Sequence, residues 1–398
     1  MNAVERVLKT INHEEPDKVP MFEFGINNNI IRKHYGFPPD DAQLGLKALK
    51  GLPIEVQNHY LKEKIFKSSK EFFKMGYRDT YEFYRRAGAD IVWSTTTLYP
   101  REILKFNDDK EGVGFLDEFG RIMRFEKCQS GEFLLSYLGG HFKSFEDYES
   151  WELPDPAWDA RLDSFLAGKE IQEEMKSEVF SIPNVAGLME HAWEGFGFQL
   201  FSRIISKPKQ ARRIFDDGGK FCLDLINIFA EHDSKLILFA DDYGFKNGLM
   251  MSPNNYRTYI LPWLKKICNE AHEHDCKIIL HCDGDLTEII DDLIGTGIDG
   301  LHPIEPTTAN PDYDIFKLKE KYGDKIAFAG NLSPNLLTVG KISEIEEYAK
   351  KLIRQLAPGG GYIFSSGHST TPQVTLDRWL AMQNIRNKYG TYPIKVPN

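Results

Sequence analysis

Short apolar runs alternate with helix-patterned segments along most of this chain. Runs at residues 19–24, 89–94, 179–188, 235–240, 277–281, 300–304, 325–330 and 361–366 are mostly apolar. That is the pattern of strands covered on both faces in a parallel sheet. Helical spacing is read at 2–12, 65–87, 144–177 with a Pro-containing break at 153–156, 190–217 broken near Lys207–Pro208, and 218–233. Further helices are predicted at 285–296, 313–322, 343–356 and from about Thr375. Ser252 as N-cap and Pro253 behind it start one of about 20 residues, and Gly88 suits the position after a helix end. Residues 98–140 break the alternation: 120–126 and 132–138 read as antiparallel strands with turns between them, an inserted hairpin lobe. Eight strand–helix repeats predict a closed (β/α)8 barrel, a single domain over residues 1–398. The rival is an open doubly wound sheet, which usually carries a Gly-rich phosphate turn after its first strand. None stands there, and the glycines at 359–361 precede a strand instead.

At 398 residues and 41% hydrophobic, the chain can bury a core of normal density. A net charge of −10 without a long basic cluster argues against nucleic acid and anionic membrane surfaces as partners. The basic stretch 62–74 reads as a solvated helix face, with a docking patch as the weaker alternative. Five cysteines (Cys128, Cys222, Cys268, Cys276, Cys282) form no regular framework, which points to a reducing, cytoplasmic location. The amino-terminal stretch has no apolar core of a secretory signal, and no apolar run reaches ~18 residues, so no transmembrane helix is expected.

Four of the apolar runs end in residues that can hold a metal or a proton. One is followed by Asp241 and Asp242, one by His281, Cys282 and Asp283, one by Glu305, and one leads to His368. In a parallel barrel those carboxyl ends meet at one rim. His281 reads first as a metal ligand and second as a hydrogen-bonding imidazole. Asp283 points the same way as His281 if the strand continues, whereas Cys282 alternates toward the helix layer, a small apolar residue before it is a ligand. Glu305 is a ligand, an acid–base group or the partner of a rim cation. His368, among four hydroxyl residues, is a ligand or proton donor. Asp241 and Asp242 are expected to divide into one rim acid and one helix-orienting acid. Phe24, Asn27, Trp93, His191 and Asn331 are candidate substrate contacts, His191 equally a buried histidine bonded to backbone. His272 and His274 stand on different sides of a helix and do not share a metal. Trp151 and Trp158 read as packing.

The opening ERVLKTINHEEPDKVP, residues 187–197 (GLMEHAWEGFG), 242–257 (DYGFKNGLMMSPNNYR), 280–284 (LHCDG) and 359–372 (GGGYIFSSGHSTTP) resemble the uroporphyrinogen decarboxylase superfamily, in order along nearly the whole chain. The resemblance implies a (β/α)8 barrel with its site at the carboxyl rim. True decarboxylases are similar to one another in an Arg-rich segment after the first strand and an Asp after the second. Here those places read FEFGINNNI (22–30), with Glu23 and no arginine, and WSTTT (93–97), with no acid. The other branch contains corrinoid-linked methyltransferases that resemble one another in a zinc bound by a His, a Cys two residues on and a later Cys. His281 matches the first ligand, Asp283 stands at the second position, Cys282 lies one residue early, and the third region offers Ser365, Ser366 and His368.

The resemblance thus implies a zinc-dependent methyltransferase. It would move a methyl group between a small methylated O-, N- or S-compound and a corrinoid carried by a partner protein. Zinc is expected at His281, with Cys282 or Asp283, and His368 or Glu305. A cofactor-free decarboxylase is the alternative, and a non-catalytic ligand binder a third. A homodimer is expected from the resemblance alone.

Overall fold

The computed structural model describes residues 1–39, 52–64, 69–106, 112–128 and 130–397. Seven parallel strands lie in the order Ile91–Thr95, Phe180–Ala186, Leu236–Ala240, Lys277–His281, Gly300–His302, Ala327–Leu332 and Tyr362–Ser366. The first predicted run closes them into a cylinder through two parallel bridges, Met21 with Phe364 and Phe22 with Ile91. This eighth stave makes so short a ladder for a local reason. Pro20 has no N–H to donate, and the Met21 N–H is taken by the Asp90 carboxylate at 2.8 Å. The result is the (β/α)8 barrel that the alternation predicts.

Inward-facing Phe22, Ile91, Ile182, Leu238, Ile279 and Ile363 fill the barrel together with Ala3, Val7 and Ile11 of helix Ala3–Ile11. That helix closes the amino end. Ala3 N–H donates to Ser177 O, and Gly361 N–H donates to Thr10 O, each at 2.8 Å, and both partners lie just before a strand begins. The strands' carboxyl ends, which carry the candidate residues, lie at the other end. A second core lies between the strands' outer faces and the surrounding helices.

The inserted lobe is a four-stranded antiparallel sheet, Pro100–Leu104, Gly112–Asp117, Arg121–Lys127 and Phe133–Gly140, larger than a hairpin. It is pinned to the barrel at helix Leu188–Glu194. Arg121 Nη1 lies 2.6 Å from the Glu194 carboxylate and the Tyr137 hydroxyl donates to Glu194 O at 2.7 Å.

The helices depart from the expected pattern in a few places. The break at Lys207–Pro208 is present, but Pro208–Glu231 then runs unbroken through Gly218 and Gly219. A Cβ on Gly219 would lie 2.2 Å from the Trp263 ring, so this glycine serves helix packing and not a turn. The helix expected over 285–296 contracts to Ile290–Ile294, because Asp285 Oδ1 holds the Thr287 N–H and hydroxyl in a turn. Helices Asn29–His34, Ile54–Lys64 and Pro334–Val339 were not predicted. Within the basic stretch 62–74, residues 65–68 lie outside the described residues, while Lys74 pairs with Glu170 and Glu174 of the neighbouring helix. Trp151 packs on Phe142 and Trp158 on Tyr99.

Candidate active site

His281 is the last residue of its strand, flanked in register by Ala240 and His302. Ile279 faces the barrel interior, so the two-residue period turns His281 inward as well. Phe24 stacks on the imidazole at 4.2 Å with planes 8° apart. Trp93 lies 5.7 Å from Phe24 and donates its indole N–H to Phe24 O at 2.8 Å. Burial lowers the His281 pKa to about 4, so the ring is neutral and keeps a lone pair at neutral pH.

Asp283 comes next in the same direction. Burial raises its pKa, but the His368 hydrogen bond, together with the neighbouring His281 and His368 imidazoles, outweighs burial and holds the carboxyl below its ordinary value. His368 Nε2 sits 3.2 Å from Asp283 Oδ2, and that contact raises the imidazole's pKa in turn. One ligand atom each from His281, Asp283 and His368 lie within 4.8 Å of one another. Asp283 Oδ1 is buried without a hydrogen-bond partner among the described residues.

The turn carrying Asp283 is held by two more acids. Asp242 Oδ1 accepts the Asp283 N–H at 2.8 Å, and Glu305 Oε2 accepts the Gly284 N–H at 3.1 Å. The Thr307 hydroxyl occupies the other Glu305 oxygen. Asp242 therefore lies beside the trio, its pKa pushed up to about 7 by burial and then by the Asp283 charge. Glu305 meets the trio through the backbone it supports.

Several predicted residues stand elsewhere. Asp241 is fully buried and accepts the Met189 N–H at 2.8 Å and the Glu190 N–H at 3.0 Å. It anchors the start of helix Leu188–Glu194 and is the helix-orienting member of the pair, not a catalytic group. Cys282 faces the helix layer, where its sulfur accepts the Tyr243 N–H at 3.2 Å. Burial pushes its thiol pKa well up, which disfavours the thiolate a metal needs, so it leaves the ligand set. Asn331 is used at both ends, Nδ2 donating to Ile304 O at 2.8 Å and Oδ1 accepting from the Tyr348 hydroxyl at 3.0 Å. It ties a strand to helix Ile342–Leu356 and is buried there. His191 stacks on Phe119 at 3.6 Å and walls a separate cavity of about 190 Å³ with Trp151 and Phe221. Neither of its ring nitrogens has a partner among the described residues, so the expected backbone bond is absent. Asn27 is exposed beside the His368 loop, its N–H donating to Thr370 O at 2.9 Å.

Four neighbours of the site stand outside the site residues predicted above, although Ser365 belongs to the third ligand region and Glu23 to the stretch after the first strand. His302 is fully buried with Nδ1 2.7 Å from His281 Nδ1, and its place on a barrel strand next to His281 was the available signal. Ser365 lies beneath it, with Oγ 3.3 Å from His302 Nε2. Glu190 faces Glu194 and Asp242, and burial followed by those charges keeps its carboxyl well above the usual range. Glu23 is fully buried under the His368 loop, accepting the Ser366 N–H and hydroxyl at 3.0 and 2.5 Å. It supports that loop and does not face an incoming anion.

Residues 130–389 match the family model described as Uroporphyrinogen decarboxylase (URO-D). The chain is 24% identical over 214 residues to a uroporphyrinogen decarboxylase of Chloroherpeton thalassium, covering 52% of this chain but only 58% of that protein. It is 24% identical over 290 residues to that of Colwellia psychrerythraea, covering 68% of this chain and 72% of the relative. A solved methyltransferase from Methanosarcina mazei superposes with a TM-score of 0.65 at 17% identity, over 98% of this chain and 99% of that one. That superposition shows a shared fold.

Proposed function

The chain belongs to the uroporphyrinogen decarboxylase (URO-D) family, and from that premise we propose that it is a zinc-dependent methyltransferase. In this reading it moves a methyl group between a small methylated O-, N- or S-compound and a corrinoid held by a partner protein. One observation carries the reading: the donor trio His281, Asp283 and His368 at the carboxyl rim. Two imidazoles and a carboxylate with an open position are a donor set of catalytic zinc sites. The unpartnered Asp283 Oδ1 and the neutral His281 ring fit a cation there. Zinc, when bound, supplies Lewis-acid polarisation of the heteroatom that carries the methyl group.

The chain's own residues do the rest. Asp242 and Glu305 fix the turn that aims Asp283. Phe24, backed by Trp93, forms an apolar wall over His281 that keeps water from the reacting heteroatom. Asp242, with its pKa near neutrality, holds or releases a proton beside the trio, as a general acid for a departing heteroatom requires. The five cysteines are free, in keeping with a cytoplasmic location, and a homodimer remains part of the proposal. Among the described residues no helix is long and apolar enough to cross a membrane.

The names of the curated relatives favour a second reading, porphyrinogen decarboxylation without a cofactor. Against it stands the stretch 22–30, which carries no arginine for a polyanionic substrate. Release of carbon dioxide from uroporphyrinogen by the purified protein would reverse the order of the two. The primary test is elemental analysis of wild type and His281→Ala. About one zinc per chain, lost in the variant together with methyl transfer, is expected for a single catalytic site; no metal in either protein would sink the reading.

A further inference from the structure

We propose that Ser365 and His302 form a positioning relay that fixes the tautomer of His281 and turns a bare Nε2 toward the mouth of the barrel. The inference rests on the reading of His281 as a donor to a cation, and extends it to two residues that touch neither metal nor substrate.

The argument follows protons one at a time. Ser365 Oγ lies 2.8 Å from Ser366 O and 3.3 Å from His302 Nε2; a carbonyl only accepts, and the shorter contact takes the hydroxyl's single proton. With that proton so placed, the same oxygen is an acceptor toward His302 Nε2, and the nitrogen is the donor. A neutral imidazole carries one N–H, which leaves His302 Nδ1 bare. His281 Nδ1 is 2.7 Å from that nitrogen. One proton fits between the two, and it belongs to His281. The nitrogen left on His281 is Nε2, with its lone pair free.

Burial makes this order binding. Ser365 and His302 are fully buried and His281 is 4% exposed, so solvent does not substitute for a missing partner. Phe22 meets His302 edge-on at 5.1 Å and Phe24 lies flat on His281, and both rings are held against rotation. The partner on the far nitrogen of a ligating histidine sets its orientation and basicity. Here that partner is a second histidine, itself set by a hydroxyl. Without the Ser365 acceptor, His302 is free to carry its proton on Nδ1. It would then donate to His281, which would present an N–H to the mouth in place of a lone pair.

Neutron diffraction on metal-free wild-type crystals exchanged into heavy water reads the pattern directly. Deuterons are expected on His281 Nδ1 and His302 Nε2. A deuteron on His281 Nε2 or on His302 Nδ1 would overturn the relay. In solution, zinc affinity is measured by chelator competition for wild type and Ser365→Ala, with thermal unfolding of each as the fold control. The variant is expected to bind zinc about 10- to 100-fold more weakly, the usual cost of losing an outer partner of a ligand; unchanged affinity in a folded variant would overturn the relay. Should the variant not fold, diffraction on the unaltered chain still decides. A wild-type protein that binds no zinc yet shows the two expected deuterons supports the relay and overturns the metal reading, so the two fail separately.

Discussion

Adjacent acids at the end of one strand have opposite employment. Asp241 turns outward and accepts two N–H groups that open helix Leu188–Glu194, while Asp242 turns to the site and holds the Asp283 N–H. Asp241→Ala strands two buried donors and should cost on the order of 2 kcal/mol, read by urea unfolding, while zinc content stays unchanged. Glu23 makes a prediction in pH. Burial raises its pKa from 4.5 to about 7 in the folded chain, only partly offset by its Ser366 and Thr370 hydrogen bonds. The folded state then binds the proton more tightly than the unfolded state. This contribution is fully present below about pH 4.5 and is lost as pH rises through about 7. Glu23→Gln should therefore flatten stability between those limits, by on the order of 3 kcal/mol for a shift of this size. Denaturant titrations of both proteins across that range check it. Although the resemblance alone keeps Cys282 as a possible ligand, strand alternation points it away from His281 and Asp283. It could not separate Asn331 from the site, because its partners, Ile304 and Tyr348, come from other segments.

At the scale of elements, the turn after strand Lys277–His281 is the most constrained piece of the site. Gly284 has φ of +90°, and a Cβ there would sit 2.2 Å from the Gly244 carbonyl carbon, which is backbone and cannot step aside. Gly284→Ala should destabilise the fold by on the order of 2 kcal/mol or more. It should also weaken metal binding, because the same turn aims Asp283. Paired measurements of unfolding and zinc affinity test this; full zinc affinity in the variant would separate the turn from the site. The sequence LHCDG made the strand end and the turn legible, yet gave no sign of Gly244 pressing against it. The helix boundary expected between 217 and 218 falls inside helix Pro208–Glu231, where Gly219 is a contact surface for Trp263.

For the whole molecule, closure of the cylinder depends on one buried carboxylate. Asp90 accepts from Arg6 at 2.6 Å, Arg386 at 2.8 Å and the Met21 N–H at 2.8 Å, joining the first stave, the plugging helix and the last helix. Asp90→Ala leaves two guanidinium groups short of a buried partner and should cost about 3–5 kcal/mol, measured by guanidinium unfolding. A loss below about 1 kcal/mol would mean the seam behaves as a surface ion pair. The sequence by itself determined where the strands fall, that they are parallel and closed, and which residues stand at their carboxyl ends, because hydrophobic periodicity is local and survives in one dimension. Tertiary structure alone decided which of those residues share a space. It brought His368 to Asp283, set His302 behind His281, moved His191 to another cavity and turned Asn331 and Asp241 into struts. Those outcomes depend on hydrogen-bond partners and burial supplied by distant segments, and a buried polar group takes its role from the partner that satisfies it.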